Sequence, residues 1–137
     1  MADIFLSHLE WTGADKGPTA DPAGFSRDLV VSVDGLTLPM SSAPGFRGDP
    51  SRANPEQLFV AALSACQALT YLFLAATNGI RVAGYTDDAG GLLGVVDGRM
   101  RMARVTLRRN RIIGNSVSTP VEVAPQLVFT GDAVAAR

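Results

Sequence analysis

Cys66 is the single cysteine of this 137-residue chain. One cysteine excludes an intrachain disulfide framework and any zinc site of the multi-cysteine kind, but leaves open a reactive thiol. The thiolate is the nucleophilic form, and holding it at neutral pH takes a nearby cation. Arg27 and Arg47, both upstream of Cys66, are the candidate cations. An acid could orient whichever arginine serves. Glu56, the only glutamate between Glu10 and Glu122, is the candidate. Each residue also has a plainer reading. Free cysteine is a common small core hydrophobe, and an acid in a first helical turn gains ~0.3–1 kcal/mol from the helix dipole alone.

The element that must position Cys66 is a helix with a clear start. Asn54-Pro55-Glu56-Gln57 supplies an N-cap, a proline where no donor is needed, and a glutamine able to bond back to the cap. The helix should run to Asn78, with Gly79 as its left-handed terminator. From Leu58 to Ala76 its only polar side chains are Ser64, Gln67, Thr70 and the phenol of Tyr71. A helix so apolar is a membrane span or the buried centre of a soluble fold. The rest of the chain is strand-like, and neither flank has an aromatic-plus-basic anchor, which favours the buried centre. Along one straight helix, Glu56 and Cys66 lie about 15 Å apart at 1.5 Å per residue, too far for one arginine to bind both. A joint site therefore needs a break in the helix or a second copy of the chain. Two such helices packed antiparallel about a twofold axis would bring Glu56 of one to Cys66 of the other, a geometry that favours a dimer.

Around the helix the pattern is β. Strands are expected over residues 4–11, 25–33, 36–40, 80–86, 92–96, 99–107 and 117–129, with a turn at 87–91. Asp34-Gly35 and Asp97-Gly98 are hairpin dipeptides. The apolar alternation slips by one at Ala103, which calls for a bulge there. The tail, residues 130–137, is expected to fray. Residues 13–24, rich in Gly, Pro and Asp, and residues 41–53, rich in Pro, Gly and Ser, are connections. The chain is 47% hydrophobic and 18% charged with net charge −1, a globular composition of one domain, residues 1–137. Six arginines crowd Arg99 to Arg111, but no aromatic interleaves them to stack bases, and nucleic acid is not expected as a partner. His8 has no second ligand nearby in sequence, and neither a metal nor a cofactor is expected. With no visible secretory signal and no cysteine pair, the expected compartment is the cytoplasm.

Asn54-Pro55-Glu56-Gln57-Leu58-Phe59 followed by Ala61-Ala62-Leu63-Ser64-Ala65-Cys66 resembles the central helix of the OsmC/Ohr family of thiol-dependent hydroperoxide reductases. Phe25-Ser26-Arg27-Asp28, Phe46-Arg47-Gly48-Asp49, Tyr85-Thr86-Asp87-Asp88-Ala89, Val105-Thr106-Leu107-Arg108 and Asn115-Ser116-Val117 extend the resemblance over most of residues 9–128. It implies an α+β fold, antiparallel sheets packed around a buried central helix in an intertwined homodimer. It also implies active sites at the subunit interface, with Cys66 as peroxidatic cysteine and Glu56 as the acid. Arg47 is the preferred arginine and Arg27 the runner-up. The implied activity is reduction of organic hydroperoxides, a small-molecule substrate suited by an apolar wall that includes Leu69 and Phe73. Neither membrane nor nucleic acid is an implied partner.

One stretch departs from that pattern. Peroxidases of the family carry a second, resolving cysteine on a later helix, whereas Arg111 stands about there and only a few residues separate Leu107 from Ile113. A genuine deletion leaves a continuous peptide. A segment missing from between Leu107 and Ile112 would instead show as a break, with Cα atoms much more than about 3.8 Å apart. Without the second cysteine, the sulfenic acid of Cys66 needs an external thiol reductant. The alternative is a catalytically inactive dimer of the same fold that binds a small apolar ligand.

Overall fold

The computed structural model describes residues 3–114 and 117–123, with side-chain surroundings described as far as Leu107. In chain order the elements are β1 (His8–Glu10), β2 (Leu29–Val33), β3 (Leu36–Met40), α1 (Pro55–Thr77), β4 (Val82–Val96), β5 (Arg99–Gly114) and β6 (Val117–Val123). Short 3-10 turns lie at Thr12–Lys16 and Pro44–Phe46. The architecture is mixed α+β, with two three-stranded antiparallel sheets ordered β1-β2-β3 and β4-β5-β6. Two compact units divide the chain, the first ending at Leu58 and the second beginning at Phe59.

In the first unit, Asp34 (φ 45°) and Gly35 (φ 82°) close the β2–β3 hairpin as expected. The first strand is shorter than the expected 4–11. Only His8 to Glu10 pair with β2, and Ile4, Phe5 and Leu6 remain more than three-quarters exposed. The helix cap forms in full. The Gln57 amide donates to Asn54 Oδ1 at 2.9 Å, and the Asn54 amide donates to Gln57 Oε1 at 3.0 Å.

At its other end α1 stops by a paired backbone closure: Gly79 N–H bonds Ala76 O at 3.1 Å, and Ile80 N–H bonds Ala75 O at 2.9 Å. Gly79 sits at φ 70°, where a glycine pays no steric penalty.

In the second unit, β4 replaces two expected strands and the turn between them. Asp87 to Gly91 stay in the ladder, with Asp88, Ala89, Gly90 and Gly91 opposite Arg108, Leu107, Thr106 and Val105. A register shift between Thr86 and Asp88 absorbs the irregularity that the glycines and acids of this stretch suggested as a turn. The expected bulge is present: Leu92 faces Arg104 and Leu93 faces Met102, leaving Ala103 as the extra residue. Asp97 (φ 51°) and Gly98 (φ 74°) make the turn, and Arg101 ties it by donating to Val96 O at 3.1 Å. β5 runs without a break from Arg99 to Gly114, with Arg111, Ile112 and Ile113 paired to Thr86, Tyr85 and Gly84. The stretch from Leu107 to Ile113 therefore lies within one strand, where the resemblance implied a helix. The last strand is described only to Val123; its expected extension to Phe129 and the frayed tail lie outside the described residues.

One side of α1 rests on this sheet. Val60 and Met102 close over Gly91, where an added Cβ would lie 2.7 Å from Val60 Cγ2. The Ser64 hydroxyl donates to Asp87 Oδ2, and the Tyr71 and Tyr85 rings meet at 5.8 Å. Val105 and Leu107 are buried in β5 and Ala75 in the helix. Two of the helix's few polar side chains, Ser64 and Tyr71, thus meet the sheet. Among the described residues nothing covers the other side, and within the single chain Phe59, Leu69, Phe73 and Leu74 are 48%, 69%, 70% and 52% exposed; the expected burial is one within a dimer. By length and composition α1 could also cross a membrane, a test that the core helix of a soluble protein passes equally.

The Tyr85 hydroxyl is buried without a hydrogen-bond partner among the described residues, as is Asp87 Oδ1. Burial first, then the Asp87 charge and Tyr71, hold the Tyr85 phenol above its ordinary value of 10.0. A phenol raised on folding contributes stability that is present below pH ~10 and lost as pH rises through the folded value. In a Tyr71→Phe chain, ultraviolet titration should find the remaining phenolate appearing above pH 10.0, and Asp87→Asn should bring it back down. A midpoint at or below 10.0 would show that the helix does not cover Tyr85.

Candidate functional site

Cys66 stands on the uncovered side of α1 and is exposed. Phe59, Ala62, Cys66, Leu69 and Phe73 are all exposed and recur at intervals of three, four, three and four residues. That is the spacing of a seam along which a second helix packs, and Cys66 is its middle position. The thiol is therefore not a small core hydrophobe within its own chain. Thr70 Oγ1, one turn on, donates back to Cys66 O at 2.9 Å and keeps its hydroxyl satisfied on an apolar surface.

The two arginines belong to the first unit, and the structure brings them together. Arg27 lies over the Phe25 ring, 3.8 Å from guanidinium carbon to ring centre. It donates to Phe25 O and, at 2.5 Å, to Pro22 O. Arg47 donates from Nη1 to Ala23 O at 2.9 Å. Both line one concavity of about 470 Å³, walled by Trp11, Phe25, Leu29 and Phe46. The loop that presents Arg47 is tightly determined. Arg47 itself is left-handed (φ 63°), and a Cβ on Gly48 would fall 1.5 Å from Ser42 O, so only glycine fits there. Strain of this kind persists where surrounding structure over-determines it. Here Ser41 supplies the anchor: it is 1% exposed, its amide donates to Ala53 O at 3.0 Å, and its Oγ accepts from the Asp49 amide at 3.0 Å.

Glu56 does not orient either arginine. Among the described residues it forms no ion pair, and its Oε2 is buried without a hydrogen-bond partner. The expected carboxylate–guanidinium pair is thus not made within the chain; the hydrogen bonds that Arg27 and Arg47 make go to backbone carbonyls. Arg52, which the sequence reading did not single out, takes the nearby acids instead. It approaches Asp49 at 3.4 Å and Asp28 at 4.0 Å, while Lys16 donates to Asp28 at 2.6 Å. The aromatic walls were also missed, although Phe25 stands two residues before Arg27 and Phe46 directly before Arg47.

A family model described as OsmC-like protein matches residues 48–125, more than half of the chain. The fold is similar to that of a solved OsmC-like protein of unknown function from Vibrio cholerae. Identity is 29% and the TM-score 0.75, over 87% of this chain and 80% of that one. No curated protein matches the chain.

The Lys16 hydrogen bond, above all, together with the Arg52 and Lys16 charges, holds the Asp28 carboxyl below its ordinary 3.8, against an opposing effect of burial. A depressed carboxyl contributes stability that is present above pH ~3.9 and lost as pH falls through the folded value. Asp28→Asn should therefore lower the urea midpoint near pH 7 and differ less from the unaltered chain near pH 3. A gap that stays constant between the two would show that the Asp28 charge is not what secures this corner.

Proposed function

The chain belongs to the OsmC-like protein family, and from that membership we propose that it is a thiol-dependent peroxidase acting on organic hydroperoxides in defence against oxidative stress. The observation that carries the reading is the exposed thiol of Cys66 in the middle of an uncovered apolar seam. The Cys66 thiolate attacks the distal, proton-bearing oxygen of the hydroperoxide. An S–O bond forms, the O–O bond breaks, and the alkoxide leaves and is protonated to the alcohol. The sulfenic acid condenses with one external thiol, releasing water, and a second thiol reduces the mixed disulfide. A reducing cytoplasm would supply those thiols. In the dimer of this reading an arginine, Arg47 before Arg27, would hold the thiolate and steady the departing oxygen, with a Glu56 to orient it.

The working form in this reading is a homodimer. The Phe59-to-Phe73 seam needs a cover, and a second copy of the same seam supplies one of matching chemistry. The seam also places Leu69 and Phe73 beside Cys66 along the helix, an apolar approach suited to an organic peroxide. One observation favours the alternative, an inactive dimer that binds a small apolar ligand. The chain has no second cysteine, and β5 is continuous where a resolving helix would stand.

Two experiments decide these points. Treated with an organic hydroperoxide, the unaltered chain should gain one oxygen at Cys66 by mass spectrometry, and Cys66→Ser should gain none there. An unaltered chain that stays unoxidised favours the inactive relative. Light scattering behind size exclusion should give the mass of two chains, and Phe73→Glu, which sets a charge in the seam, should shift it toward one. A monomeric unaltered chain would remove the seam-to-seam dimer.

A further inference from the structure

We infer that the concavity lined by Arg27 and Arg47 is a binding site for a small aromatic carboxylate. This goes beyond the peroxidase reading and stands on the first unit alone, without Cys66.

Charge is the first argument. Two guanidinium groups line one pocket, and their hydrogen-bond partners are the backbone carbonyls of Pro22, Ala23 and Phe25, which neutralise neither. The acids nearest them, Asp28 and Asp49, line a neighbouring concavity with the same two arginines but are paired with other cations. Asp28 is held by Lys16 and Arg52, and Asp49 by Arg52 and the Ser51 hydroxyl, 2.7 Å away. Arg52 thus sorts the charges of this corner, leaving a positive pocket beside a neutralised network. A guanidinium keeps five N–H donors in a flat fork, so the bonds already made leave donors for a carboxylate.

Shape is the second argument. The walls are rings: Trp11 and Phe25 meet edge to face at 6.4 Å, and Phe46 completes the lining. The volume of about 470 Å³ lies within the ~300–1,000 Å³ of small-molecule sites. Phe46 is 45% exposed, so a ring laid on it would remove apolar surface from water. Rigidity is the third. Gly48 against Ser42 fixes Arg47, while Trp11 donates to Ser26 O at 2.8 Å and so fixes its wall. Planar cations among aromatic faces suit a flat anion better than a neutral ring or a bare inorganic ion.

Trp11 is the only tryptophan, so its single indole N–H resonance reports from the pocket wall. The full chain and its Cys66→Ser variant are titrated with 2-naphthoate, its neutral amide 2-naphthamide, and phosphate, by calorimetry and by that resonance. The inference expects saturable naphthoate binding in both proteins, with the Trp11 signal moving. Binding of the amide should be about tenfold weaker or more, since a charge-assisted pair is lost. Arg27→Gln and Arg47→Gln should each weaken naphthoate by a similar factor while the circular dichroism is kept. The ligand comparison on the unaltered chain stands even if those variants do not fold. Equal binding of acid and amide, equal action of phosphate, or no saturable binding overturns the site. The peroxidase reading draws on one of the same arginines, but it is read from oxidation of Cys66 and this site from ligand binding that persists in Cys66→Ser, so the two readings fail separately.

Discussion

The side of α1 that the chain leaves bare is the constraint on which the rest of the molecule turns. A 23-residue helix has been given two unlike faces from an almost entirely apolar sequence. Val60, Ser64 and Tyr71 lie on the sheet, where a hydroxyl–carboxylate bond and a ring pair hold them. Phe59, Ala62, Cys66, Leu69 and Phe73 face away. Each large apolar side chain left in water forgoes about 1.5–3 kcal/mol of burial, a loss that accumulates over a stripe this long. A contiguous apolar stripe of this size is the kind of surface that a partner or an apolar ligand covers, and the thiol stands at its centre.

Much of this could be read from residue order because the strongest signals are local. Asn54 and Gln57 form their reciprocal cap, Asp34-Gly35 and Asp97-Gly98 form hairpins, and Ala103 is the bulge. Each depends on a few neighbouring residues whose geometry has few solutions. The stretch from Asp87 to Gly91 misled because its acids and glycines are turn formers on local preference alone. A long partner strand supplies enough ladder bonds to override that preference, and the irregularity survives only as a register shift.

Burial of the helix is a different matter. Composition says that an apolar helix must be covered, but not by which chain. The periodicity that separates the two faces is weak when nearly every position is apolar, and only Ser64, Gln67 and Tyr71 mark the sheet side. The site residues divide in the same way. Arg27 and Arg47 could be nominated from type, and their shared pocket follows from loops that local rules do not determine. Arg52's engagement with Asp28 and Asp49 is a three-residue arrangement across separate segments, and no spacing in the sequence announces it.

Glu56 draws these strands together. Its Oε2 is buried and unpartnered among the described residues, an arrangement that costs about 1–3 kcal/mol for a neutral group and more for a charge. A sequence with a complete cap formed by Asn54 and Gln57 on either side of Glu56 does not need a carboxylate there to satisfy the helix start. The helix dipole supports an acid there only weakly and does not supply the missing hydrogen bond. An orphaned acid at one end of the helix and an exposed thiol ten residues on are each incomplete alone. Antiparallel pairing of two seams would complete both at once, and that economy is the strongest physical reason to regard the single chain as half of a site.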